Sequence, residues 1–370
     1  MGAYRKFPII VSLAVVFAVA MTVQANGAVE EVDCNDGDTI TETLEDADPG
    51  DTIRVTGICQ ETVTITTDRL TLDGQGSAII DGSGGSQDVV TIDGARGVTL
   101  TGLTIQNGRE GILGINAATF TVDNTTVQGN SSHGIELVRA SATLTNINSS
   151  QNGRAGVLIA RNSLIALTNS TLHNNLTGLV VFSNSTARLF GTNVMSDNLT
   201  QGSTVGLGGA VFSIGSTILA NDNGAEGLFL LQDGNIQLIG GTLEASRNGT
   251  DGINLLQNSS IILGIQAFGV PGTVVTSDNV RNGIIAASGS DVAGSQIMPL
   301  TSRDNGAAGV RLDDRSSATI SGATIQANGT TDVDLSFGSQ ATLNSNTIGT
   351  IACDGTARLR GDTGTVCPTP

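Results

Sequence analysis

An asparagine recurs along this chain about once per coil: Asn107, Asn130, Asn152, Asn174, Asn198, Asn223, Asn248, Asn279, Asn305 and Asn328. Successive members lie 23, 22, 22, 24, 25, 25, 31, 26 and 23 residues apart. Nine are followed four residues later by glycine, from Gly111 and Gly134 through to Gly309, and the tenth by Asp332. Short β-type runs come next, such as Ile135-Glu136-Leu137-Val138 and Leu228-Phe229-Leu230-Leu231. A repeat of this length cannot bury its apolar side chains alone and must stack on its neighbours, which is the signature of a solenoid.

Within each period the chain alternates apolar and polar residues in three short runs, for example Val63-Thr64-Ile65, Leu70-Thr71-Leu72 and Ala78-Ile79-Ile80, with Asp-Gly, Asn-Gly or Ser-Gly turns between them. Three strands per repeat predict an all-β fold, a single-stranded right-handed parallel β-helix whose strands pair one coil apart, at about 4.8 Å. About twelve coils are expected between Val63 and Ile351, a rod of roughly 55 to 60 Å. The asparagines are expected both to adopt left-handed torsions at a turn and to bond one another in a stacked ladder. The glycine four residues on is expected to free the next turn from a Cβ clash.

The ends differ from the middle. Residues 1–25 read as a signal peptide, with Arg5 and Lys6 before an apolar run and Val23-Gln24-Ala25 as the cleavage site. Residues 26–50 are expected to form an N-terminal cap with a short helix from Thr39 to Asp46, 51–352 the β-helix, and 353–370 a C-terminal cap. Cys34, Cys59, Cys353 and Cys367 flank the repeats in two pairs and read as one disulfide at each end, in an exported protein of periplasm, cell surface or medium. Removal of Arg5 and Lys6 leaves 15 basic residues against 34 acidic, a net charge of −19 with no lysine. Such a surface disfavours nucleic acid unless its arginines cluster, and no stretch beyond the leader is apolar enough to hold a membrane.

The Asn-x3-Gly-aliphatic repeat resembles that of the pectin-lyase-like superfamily of right-handed β-helices, over about residues 50 to 352. The resemblance implies the fold; the superfamily includes pectate lyases, polygalacturonases, pectin methylesterases and many bacterial surface or periplasmic proteins without known activity, so it leaves the chemistry open. Ser132-His133-Gly134 is similar to a polygalacturonase motif, yet the Asp pair, Asn-Thr-Asp and Arg-Ile-Lys that accompany it there are missing. The chain also has no tryptophan, and its nine Phe and one Tyr are few for stacking on sugar rings.

Aligning the repeats on their glycines turns the sequence into columns. Residues two and four after the glycine point outward and are mostly apolar: Leu113 and Ile115, Leu158 and Ala160, Val180 and Phe182, Phe229 and Leu231. This predicts an apolar lateral face for a protein partner or for homo-oligomerisation, and a binding or structural module. The competing reading is a polysaccharide-acting lyase or glycoside hydrolase working at Glu110 and His133, stacked one coil apart, with Glu136 and Arg139 nearby. Arg311, Asp313, Asp314 and Asp334 form a second polar cluster able to bind a cation or a uronate. No metal or other cofactor is required; calcium at the acidic turns Asp73, Asp81, Asp88 and Asp93 is the weak exception, since the nonapeptide calcium repeat is missing.

Overall fold

A computed structural model describes residues 27–264, 270–361 and 367 of the chain. The leader read from residues 1–25 lies outside them, as do residues 362–366 and 368–370 of the expected C-terminal cap.

Every coil contributes a strand to each of three lateral faces. The first holds strands such as Thr119–Asp123, Ser141–Thr145 and Leu164–Thr168, and the second Thr126–Gln128, Asn148–Ser150 and Thr171–His173. The third holds Ile112–Ile115, Ile135–Val138 and Ala155–Ala160. All pairs are parallel and link equivalent positions one coil apart, as in Ser141 with Leu164 and Ile135 with Val157. The third face is a sheet of 13 strands running from Val63–Ile65 to Ile351–Cys353. That exceeds the expected twelve, because the coils at both ends lack the marker asparagine. Twelve intervals of about 4.8 Å give a rod of about 58 Å. The first and second faces join into one sheet through Thr71–Asp81 and Arg96–Gln106, long strands that turn the corner with an irregularity between Asp73 and Ala78.

Alternation explains the core. In Ile135–Val138 the first and third side chains are buried and the second and fourth half-exposed, so each coil stacks its aliphatic residues on the next inside the tube. The Gly-rich coil at residues 203–210, whose register the repeat pattern left open, pairs Ser203, Thr204 and Val205 with Leu179, Val180 and Val181. Here a serine takes an inward position, and beside it lies a cavity of about 10 Å³ among Leu179, Val211, Leu228 and other aliphatic side chains.

The asparagine ladder is present, with a shifted register at two coils. Backbone and side-chain N–H of Asn130 both donate to Oδ1 of Asn152, at 3.1 and 3.0 Å. The same double bond repeats through Asn175, Asn198, Asn223, Asn248, Asn279, Asn305 and Asn328. Asn174 is therefore not a rung; Asn175 is. Asn107 is not one either, since Gly108 occupies the ladder position and donates its N–H to Asn130, while Asn107 bonds Asp81. The two tasks expected of one residue are divided between two. The residue before each rung has the left-handed torsion, as in Asn107 (φ 60°), Gln151 (φ 57°), Asn174 (φ 54°) and Asp222 (φ 57°).

Nor do the repeat glycines supply turn torsions, for none has a positive φ. They are needed for close approach: a Cβ on Gly227 would meet the carbonyl oxygens of Ala220 and Gly252 at 2.7 Å and Nδ2 of Asn248 at 2.9 Å. Asp332 replaces the tenth glycine because the ladder stops there. Its carboxylate accepts from the backbone and side-chain N–H of Asn328 at 3.1 and 2.8 Å, and from the backbone N–H and the hydroxyl of Thr350 on the far side.

At the N-terminus, Val29–Asp33 pairs in parallel with Thr52–Thr56. The helix Ile40–Asp46, capped by Thr39, packs against the first strands of the rod and buries Ile40 completely. Glu61 closes its first turn by accepting N–H bonds from Ile40 and Thr41. Disulfides join Cys34 to Cys59 and Cys353 to Cys367.

Candidate functional site

The turn between the second and third faces carries Glu110 and His133 in the column just before the repeat glycine. Register stacks them one coil apart, and Glu110 Oε2 lies 2.7 Å from the His133 backbone N and 3.1 Å from Nδ1. Glu136, the outward residue at the second position of its strand, brings Oε2 to 3.8 Å from the same Nδ1, and Ser132 Oγ lies at 3.2 Å. On the coil before, Arg109 grips Asp88 through two bonds of 2.8 Å. Arg139 is not part of this group. It sits at the opposite end of the strand Ile135–Val138, on the corner with the first face.

The electrostatics of the cluster follow from its geometry. Burial works against a charged imidazole, but the Glu110 and Glu136 carboxylates outweigh it and push His133 up to about 9. Burial also opposes the charge on Glu110, and the bonds from the His133 ring and backbone overcome it, so its pKa is lowered. At neutral pH the pair is an imidazolium against the Glu110 carboxylate. A glycosidase acid needs a carboxyl that keeps its proton; Glu110 is shifted the wrong way. Glu110, His133 and Glu136 bring donor atoms within 4.8 Å of one another, a set that a divalent transition metal accepts. The proton on Nδ1 competes with it there.

The same column explains the cluster without chemistry. Gln201 donates to Glu226 at 3.1 Å, and Asn282 to Asp251 at 2.7 Å. Glu110 with His133 is one rung of this second polar stack, which runs beside the asparagines. Asp251 is its most buried member: desolvation raises its pKa, and its Oδ2 has no partner among the described residues.

The second cluster divides. Arg311 lies 3.2 Å from Asp313 and 3.9 Å from Asp334, while Asp314 turns away and pairs with Arg315 at 3.4 Å. The acidic turns have separate partners: Asp73 accepts from Gln75, Asp81 from Ser83, Gln106 and Asn107, Asp88 from Arg109, and Asp93 from Asn116.

Surface with room for a ligand also lies on the first face, which the glycine-anchored columns missed. Two shallow hollows adjoin on the first face and its corner with the third, sharing Thr119 and Ser141. The corner hollow, about 530 Å³, is lined by Arg96, Arg139, Arg161 and Asn162. The other, about 310 Å³, is lined by Thr119, Thr121, Ser141 and Thr143 and ends at Arg188. No carboxylate lines either, and no described residue forms an ion pair with these four arginines. Phe212 stands next to Arg188 on the following coil, and Phe190 lies two residues along the strand from Arg188; both rings are exposed. Aligning the strands that precede each asparagine, as well as those that follow each glycine, would have put Thr121, Thr143, Arg188 and Phe212 in one column.

A family described as a right handed beta helix region matches residues 88–243. Together with the three-faced coil and its parallel register, this makes the chain a right-handed parallel β-helix. Solved structures with a similar fold include the Azotobacter vinelandii mannuronan C-5 epimerase AlgE6 A-module, 16% identical with a TM-score of 0.47, over 89% of this chain and 93% of that one. Pectate lyase Pel9A is 14% identical with a TM-score of 0.35, over 92% of this chain and 82% of its own. The catalytic unit of the thermostable GH87 α-1,3-glucanase from Streptomyces thermodiastaticus strain HF3-3 is 14% identical with a TM-score of 0.42, over 92% and 71%. At these identities the likeness is one of fold. No curated protein matches this chain. Among the described residues, no helix is long and apolar enough to cross a membrane.

Proposed function

We propose that this protein is an exported β-helix binding module, a capped rod that holds an anionic polysaccharide along its first face. The observation that carries this reading is the grouping of Arg96, Arg139, Arg161 and Arg188 around two adjoining hollows, in a chain with a net charge of −17. Guanidinium groups bind carboxylate or sulfate bidentately, and free ones need not first break an internal ion pair. The row of threonine and serine hydroxyls supplies bonds to sugar hydroxyls, and Phe190 and Phe212 supply apolar surface for a ring face. The half-exposed apolar strip on the third face is the module's second surface, for protein association.

Titration calorimetry with polygalacturonate and alginate, and with dextran as the uncharged control, tests the reading. Uronate polymers are expected to bind and dextran not. Arg139→Ala with Arg161→Ala is expected to weaken binding about tenfold or more, two charged contacts of more than about 1 kcal/mol each being lost in part to solvent. Equal binding of dextran, or no effect of the double substitution, defeats it. The lyase or hydrolase reading rests on the close approach of Glu110, His133 and Glu136. It predicts unsaturated uronate absorbance or new reducing ends that vanish in His133→Ala; the module reading predicts neither product.

A further inference from the structure

The apolar strip on the third face carries a second inference, which rests on reading that strip as an interface and is independent of the glycan surface. From the coil of Leu113 to that of Ile285, outward positions on this sheet hold a single charged side chain, Glu136, in a chain with 34 acidic residues. Leu113, Leu158, Val180, Phe229 and Ile285 all retain part of their surface in solvent. Eight strands at about 4.8 Å, each about five residues wide, make a strip of about 38 Å by about 17 Å. Covered on two copies, it removes roughly 1,300 Å² from water, the size of a stable specific interface.

The order of outward residues points to the occupant. Down the column it reads Glu136, Leu158, Val180, Thr204, Phe229, Asn254, Ile285, Arg311, each in register with the next. Thr204 and Phe229 are the middle pair. Glu136 lies three coils before Thr204, and Arg311 three coils after Phe229. A twofold axis lying in the interface, parallel to the strands and midway between these two, reverses one rod against the other. It then sets Glu136, which is 3.8 Å from His133 of its own chain, over Arg311 of the second copy, which is 3.2 Å from its own Asp313, twice, with Leu158 over Ile285 between them. We propose that the protein is a homodimer of antiparallel rods packed through the third face in this register. The apolar centre supplies the attraction, and the two charge pairs at its ends fix register and direction against the repulsion of two acidic chains.

Light scattering of the purified full chain across a hundredfold range of concentration tests this. The wild type is expected to have twice the chain mass. Val180→Asp, which buries a charge in the strip, is expected to give a monomer with unchanged circular dichroism. Glu136→Arg alone and Arg311→Glu alone are each expected to weaken the dimer about tenfold or more, and the double variant Glu136→Arg/Arg311→Glu to restore it. A monomeric wild type overturns the proposal, as does a dimer indifferent to Val180→Asp. A dimer broken by Val180→Asp but not restored by the charge exchange overturns the register. Uronate binding by Val180→Asp is expected to equal that of the wild type, so failure on one surface is read separately from failure on the other.

Discussion

Asparagines that are adjacent in sequence do unlike work here, and that division is measurable. Asn175 is buried, and both of its N–H groups and those of Asn152 run through the ladder. Asn175→Ala removes the acceptor of two buried donors, each costing about 1 to 3 kcal/mol when left unmade, so a loss of about 3 kcal/mol or more is expected in denaturant unfolding. Asn174 is exposed, with a left-handed torsion and one solvent-exposed side-chain bond to His173 Nδ1 at 2.7 Å, so Asn174→Ala is expected to cost about 1 kcal/mol. The period of the repeat was legible because ladders need identical residues at every coil. Which of Asn174 and Asn175 is the rung was not, since either type fits either place and only the bond pattern decides. His133 carries the pH dependence. Its folded pKa of about 9 is above the ordinary value of about 6.5, so its contribution is complete below about pH 6.5 and is lost as pH rises through about 9. Unfolding free energy is expected to fall across that window, and the fall to shrink in Glu110→Gln.

A single coil is the unit in which packing errors show. The pattern of inward aliphatic residues is broken at Ser203, buried beside a small cavity while Leu179 and Leu228 flank it on the neighbouring coils. Ser203→Val exchanges a hydroxyl in an apolar shell for two methyl groups and is expected to raise stability by about 1 kcal/mol, read as a higher unfolding midpoint. Sequence reasoning left this coil unregistered because Gly206, Gly208 and Gly209 erase the period-two signal there. The repeat glycines were legible as places where a Cβ would clash; which atoms it would meet, the carbonyl oxygens and ladder amides of neighbouring coils, only the structure gives. The short N-terminal helix was readable from Thr39 as its cap and Asp48-Pro49-Gly50 as its stop. Its contact with the first strands follows from the apolar end that an uncovered solenoid would otherwise expose.

Over the whole rod, stacking makes each face a printed record of one column of the sequence. The apolar third face was legible for that reason. The arginine hollows were not, because Arg96, Arg139 and Arg161 fall at a corner where the chain is irregular, and Arg188 falls on a strand counted from a different anchor. The two proposed surfaces differ in physics as well as position: added salt screens exposed guanidinium contacts and is expected to weaken uronate binding, while association through an apolar strip survives it.

Among the described residues, Val29–Asp33 pairs on one side only, with Thr52–Thr56, and this edge strand at the N-terminal end of the rod displays Glu30 and Glu31 to solvent. A tube of parallel strands can grow from an unguarded end by taking on the next molecule, indefinitely. Two adjacent negative charges on such an edge strand make that step repulsive.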